Sequence, residues 1–134
     1  MLRYILDTDI CIYTIKDRPG ILREKFNRFA PQLCMSSVTL AELFFGAEKS
    51  AQVERNLGVV ESFAARMSVL PFGENAAAHF GEIRAKLERA GTPIGAYDLM
   101  IAGQARSEGL ILVTNNTKEF GRVPGLRVEN WVET

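Results

Sequence analysis

The chain has 134 residues, enough for one hydrophobic core and a single domain over residues 1–134. It is 47% hydrophobic and 24% charged, the balance of a globular protein, with 16 basic against 16 acidic residues. A net charge of zero excludes a polycationic nucleic-acid binder, so any polyanion must be held by a local patch or a metal. Cys11 and Cys34 lie in apolar stretches and read as buried thiols rather than a disulfide. No signal peptide and no membrane-length apolar run is visible, which makes the cytoplasm the expected location.

In chain order, Leu2 to Leu6 reads as a buried strand that stops at Asp7-Thr8-Asp9, residues suited to capping the helix Ile10 to Ile15. Pro19-Gly20 marks a turn, with Pro19 fitted to the first turn of the next helix. That helix shows an apolar face of Ile21, Leu22, Phe26 and Phe29, and Pro31-Gln32 ends it. Leu33 to Met35 is a second strand, and Ser36-Ser37 caps a helix over Val38 to Lys49. A helix over Gln52 to Arg66 and a third strand over Met67 to Leu70 follow. Glu74 to Ala90 is a long helix with Ala78, Phe80, Ile83 and Leu87 on its apolar face. After Gly91-Thr92-Pro93 comes a helix from Ala96 to Glu108 with Gly109 as its terminating residue. Leu110 to Val113 is a fourth strand, Glu119-Phe120 starts a short helical piece, and Arg127 to Asn130 forms a last edge strand. Short apolar strands alternating with helices predict an α/β fold with a mainly parallel sheet of four to five strands covered on both faces. In such sheets ligands bind beyond the carboxyl ends of the strands.

Four acids stand out against this frame. Asp7 follows the first strand, where a helix cap and a functional carboxylate are equally open readings. Glu42 has Val38, Thr39, Phe45 and Gly46 as its helical neighbours, and Asp98 has Ile94, Gly95, Ile101 and Ala102. Neither has a cation within reach on its own helix, and an unpaired carboxylate there costs roughly several kcal/mol if buried. Asp98 also suits the first turn of a helix through the macrodipole. Glu119 follows the fourth strand, and Asn116 before it can orient a carboxylate or form an Asx turn. Clustered carboxylates raise one another's pKa, and a divalent cation removes that cost. All-oxygen donors favour Mg²⁺ or Mn²⁺, whereas His79 and two separated cysteines do not make a zinc site. Such a centre suits phosphodiester chemistry.

With Leu6-Asp7-Thr8-Asp9-Ile10, Ser37-Val38-Thr39-Leu40-Ala41-Glu42-Leu43, Tyr97-Asp98-Leu99-Met100-Ile101-Ala102 and Val113-Thr114-Asn115-Asn116-Thr117-Lys118-Glu119-Phe120 in this order, the chain resembles the PIN-domain ribonucleases. Within them it is similar to the VapC toxins of bacterial toxin–antitoxin pairs. The resemblance implies a three-layer α/β/α fold and a Mg²⁺ site of Asp7, Glu42 and Asp98, with Glu119 as a fourth catalytic acid. Thr8, Thr114 and Asn116 would be supporting polar residues. Asp9 stands where many members carry Asn, and Glu119 where Asp is common. The implied activity is endonucleolytic cleavage of RNA, with tRNA, and initiator tRNA in its anticodon region, as the expected substrate. The implied partners are a VapB-type antitoxin and a second copy in a homodimer. A larger hetero-oligomer would include the antitoxin and would reach promoter DNA only through it. Phe44, Phe45, Leu57, Val59, Val60 and Phe63 form either an apolar groove for the antitoxin or, for most of them, plain core. Arg18, Lys49 and Lys118 are candidate RNA contacts. Two other readings remain: a haloacid-dehalogenase-like phosphatase, from Asp7-Thr8-Asp9, and a non-catalytic binding module on the same fold. The first lacks the further acidic pair it needs, since that position reads Thr114-Asn115-Asn116.

Overall fold

The computed structural model describes residues 1–17 and 20–132. Pro19, expected in the first turn of the second helix, and Arg18, a candidate RNA contact, lie outside the described residues. The first strand, β1, is Tyr4–Leu6, followed by α1 (Thr8–Lys16) and α2 (Gly20–Phe29). A 3-10 turn over Ala30–Gln32 leads into β2 (Leu33–Ser36) and α3 (Ser37–Lys49). Next come α4 (Val53–Ala64), β3 (Ser68–Leu70), α5 (Glu74–Arg89) and α6 (Ala96–Glu108). The chain closes with β4 (Ile111–Val113), the four-residue α7 (Thr117–Phe120) and β5 (Val128–Glu129). Every expected element is present; β1, β3, β4 and β5 are one or two residues shorter than expected, and β2 extends one residue further, to Ser36.

The five strands form one parallel sheet in the order β3-β2-β1-β4-β5. Strand alternation separates two cores. Tyr4, Leu6, Leu33, Met35, Ile111 and Val113 face the side covered by α1 to α4. Ile5, Cys34 and Leu112 face the side covered by α5 and α6. This is the expected three-layer α/β/α arrangement. Both thiols are buried and free, and burial pushes Cys34 up to about 12, so neither is a nucleophile at neutral pH.

Local signals account for the helix ends. Asp7 Oδ1 accepts from the Ile10 amide at 2.8 Å, and Ser36 Oγ accepts from the Val38 amide at 3.0 Å. Gly109 closes α6 in the left-handed region, as its position predicts. One expectation fails: Ala78 is exposed, and Ala76 is buried with Ile83 and Leu87. The buried set follows the axis along which α5 crosses α6, a direction no single-helix pattern contains. At that crossing a Cβ on Gly103 would lie 2.9 Å from Phe80 N and 3.1 Å from Ala76 O. Because backbone cannot swing aside as a side chain can, Gly103→Ala is expected to destabilise the protein by about 1–3 kcal/mol. Urea unfolding monitored through Trp131, which is buried, would read this as a lower midpoint at unchanged m.

Candidate metal centre

The site forms where the sheet changes direction. From β1 the chain first builds outward through β2 and β3, then returns to place β4 on the other side of β1. Ligands in open α/β sheets bind at such a switch point, beyond the strand ends. The register pairs Leu6 with Val113, so Asp7 and Thr114 emerge side by side. The Asp7 amide donates to Val113 O at 3.1 Å, extending the ladder one step.

Asp7 is only 3% exposed. Its carboxylate does two things at once: Oδ1 caps α1, and the Thr114 hydroxyl donates to the same carboxylate. Burial pushes its pKa up to about 7, against the two hydrogen bonds, with the charges of Asp9 and Asp98 adding to the rise. Thr114 is fully buried and also accepts from the Asn116 amide at 2.9 Å, which shapes the turn into α7.

Glu42 enters from α3. The Thr8 hydroxyl donates to its Oε1 at 2.6 Å, and Thr8 Oγ1 also lies 3.2 Å from Thr39 Oγ1. A hydroxyl has one hydrogen, so the charge-assisted bond to Glu42 takes it and Thr39 donates back to Thr8. Thr39, fully buried three residues before Glu42, was visible in the sequence only as a helical neighbour. Asp98 lies in the first turn of α6, partly buried, with its pKa raised to about 6. Burial contributes most, followed by the charges of Glu119, Glu42 and Asp9. Asp98 is thus the electrostatic hub of the cluster. Glu119 is held by Asn116, whose Nδ2 donates to Oε2 at 2.7 Å and whose Oδ1 accepts from the Glu119 amide at 3.4 Å. Asn116 orients the carboxylate and caps α7 together. Asp9, exposed on the first turn of α1, is near enough to raise both Asp7 and Asp98.

Among the described residues, the ion pairs involve other acids: Asp17, Glu82 and Glu88. No Lys, Arg or His within that set neutralises Asp7, Glu42, Asp98 or Glu119. Among the same residues, no three His, Cys, Asp or Glu side chains are grouped tightly enough to hold a metal ion as they stand. The acids are electrostatically coupled without forming a closed coordination sphere. Their donor chemistry is nonetheless that of a hard divalent cation: carboxylate oxygens, uncompensated and partly desolvated. His79 sits elsewhere, on α5, where its Nδ1 accepts from Arg106 Nε at 2.8 Å.

The expected apolar surface divides. Val60 and Phe63 are core, while Phe44 and Leu57 pack against it partly buried. Phe45 and Val59 are exposed. Among the described residues, no helix is long and apolar enough to cross a membrane.

Comparison with known proteins places this geometry. The PIN domain model matches residues 4–126. The tRNA(fMet)-specific endonuclease VapC of Shigella flexneri is 58% identical over 131 residues, 98% of this chain and 99% of the relative. Ribonuclease VapC2 of Haemophilus influenzae is 54% identical over 98% of this chain and 100% of its own length. A chain in the structure of DNA-bound VapBC from Salmonella typhimurium superposes with a TM-score of 0.94 at 56% identity, covering 98% of this chain and 99% of that one. The phosphatase alternative falls with this kinship. Full-length likeness in both sequence and strand order means that the chain belongs to the PIN-domain family, in its VapC branch.

Proposed function

We propose that the chain is a divalent-metal-dependent endoribonuclease, the toxin of a toxin–antitoxin pair, and that it cleaves initiator tRNA. One observation carries the chemistry: a buried Asp7 and a partly buried Asp98, both with raised pKa, lie within electrostatic reach of each other, and Asp98 within reach of Glu42 and Glu119, with no neutralising cation among the described residues. The substrate rests on relatives named for tRNA(fMet) at 56–58% identity. The antitoxin partner rests on neighbours solved as VapBC complexes, two of them bound to DNA.

Asp7, Glu42 and Asp98 would hold Mg²⁺ or Mn²⁺, with Glu119 beside them. A bound divalent cation supplies a Lewis acid that acidifies water and offsets charge on phosphate oxygens. Thr114 fixes Asp7 and Thr8 fixes Glu42, so these carboxylates are oriented before substrate arrives. Asn116 holds Glu119 where it can accept a proton from, or orient, an attacking water. Without the cation the same carboxylates would repel the RNA backbone.

Purified protein incubated with initiator and elongator tRNAs is expected to cut the initiator tRNA with Mg²⁺ and to leave both intact in EDTA. Equal cutting of both tRNAs would remove the substrate assignment. Cleavage that persists in EDTA would remove the metal.

A further inference from the structure

Glu42 and Asp9 line one side of a groove of about 570 Å³, within the range of sites that enclose small organic ligands. Thr8, Asp9 and Glu42 form its polar side, and Phe45, Tyr97 and Met100 its apolar side. We propose that Phe45 and Tyr97 are specificity-determining residues that stack on unpaired bases flanking the scissile phosphate. This inference rests on the ribonuclease reading above.

Helical phase puts both rings there. The buried face of α3 runs through Thr39, Leu43 and Ala47. Phe45 follows Glu42 by three residues and Ala41 by four, so it lies on the acid face and not the core face. Tyr97 precedes Asp98 in the first turn of α6. Phe45 is 66% exposed and Tyr97 59%. Among the described residues, the exposed large hydrophobic side chains are Met1, Phe45, Val59 and Tyr97, and both aromatic ones border this one groove. Scattered apolar exposure is ordinary, but two solvated rings beside a carboxylate centre are not scattered.

The groove's own charged residues are Asp9 and Glu42, whose repulsion of RNA a bound divalent cation would offset, and the cations nearest to it lie at its margin. The Lys49 ammonium lies 5.8 Å from the Phe45 ring centroid, an exposed cation against an exposed ring. A second groove adjoins the first through Ile12 and Glu42 and carries Lys16. Bases stack on aromatic rings while adjacent cations meet phosphates, and this pairing is sequence-tolerant because every base has a π-face. A-form duplexes hide their bases from such rings, whereas loops can splay them out.

The test uses the full chain carrying Asp7→Asn, to prevent cleavage, with Mg²⁺ in excess so that the remaining carboxylates are neutralised, and a stem-loop RNA with 2-aminopurine in the loop. Binding is expected to quench the fluorophore. Phe45→Leu and Tyr97→Leu, which keep apolar bulk and lose the ring, should abolish the quench and weaken loop binding roughly ten- to hundredfold. Tyr97→Phe should retain both, and binding to a fully paired RNA should not change. In the active chain the same Leu variants should raise KM for the stem-loop. Both side chains are exposed, so unchanged thermal midpoints would show that the variants fold. Wild-type quench and KM in the Leu variants overturn the inference while leaving the ribonuclease reading standing. The same result accompanied by lost inhibition by a cognate antitoxin would assign the groove to a protein partner instead. A parent chain that neither binds nor cuts RNA with Mg²⁺ overturns both.

Discussion

Asp7→Asn is expected to abolish RNA cleavage and, in metal-free buffer at pH 8, to make the protein more stable. The two effects share one cause. Asp7 is a carboxylate held out of water, and its pKa is pushed up to about 7 from an ordinary 3.8. Each pKa unit is 1.36 kcal/mol, so keeping Asp7 ionised costs up to about 4 kcal/mol when nothing binds there. Asparagine removes the charge and keeps a side-chain oxygen for the Ile10 amide, so the cap on α1 survives. An amide is a poor ligand for a hard cation, and losing several kcal/mol of charge stabilisation slows cleavage by roughly a thousandfold or more. Asp7→Ala would lose activity equally but also lose the cap, about 1 kcal/mol. Cleavage assays with Mg²⁺ and urea unfolding in EDTA measure the two effects. Wild-type cleavage by the Asn variant would show that Asp7 is not in the site. Lower stability at pH 8 would show that its burial carries no penalty.

Stability of the metal-free protein should fall as pH rises from 5 to 8, by about 3 kcal/mol from Asp7 alone. The folded state keeps a proton on Asp7 up to about pH 7, whereas the unfolded chain releases it near 3.8. The contribution is therefore complete below 3.8 and lost as pH climbs through 7. Asp98, raised to about 6, acts in the same direction. Glu82 acts oppositely: hydrogen bonds from Arg106 and Lys86 pull it down to about 2, so its contribution is present above 4.5 and lost only at lower pH. A window of pH 5 to 8 separates the two. Mg²⁺ at a hundred times its Kd should restore about 2.7 kcal/mol at pH 8 and much less at pH 5, where protons compete for the same oxygens. Thermal melts at both pH values, with and without Mg²⁺, test this. A melting temperature that does not vary from pH 5 to 8 would contradict the burial of an ionised Asp7. Equal stabilisation by Mg²⁺ at both pH values would place the cation elsewhere.

Local pattern singled out Asp7, Glu42 and Asp98 as candidates, through a strand end and apolar helical neighbours, but left a helix cap or a macrodipole acid equally open for Asp7 and Asp98; only the family resemblance joined the three into one proposed site. Asn116 and Glu119 were legible only as a spacing, and their hydrogen bonds supply the reason for it. The bond from Thr8 to Glu42 joins residues 34 apart, and no local pattern contains it. Asp9 had no assignable role in the sequence; in the fold its charge falls on both Asp7 and Asp98.

The sequence by itself determined the element order and the layer architecture and narrowed the caps of α1 and α3 to two or three adjacent residues each, since capping and hydrophobic period act over a few neighbouring residues. Only the tertiary structure decided which carboxylates share a field, which face of α5 is buried, and that Phe45 stands in solvent beside Glu42. Those outcomes depend on strand register and on how helices cross, and both are set by packing among segments far apart in the chain. Asp7 shows the division best. Its place after a strand is local, but its raised pKa exists only because β4, α1 and α6 close around it.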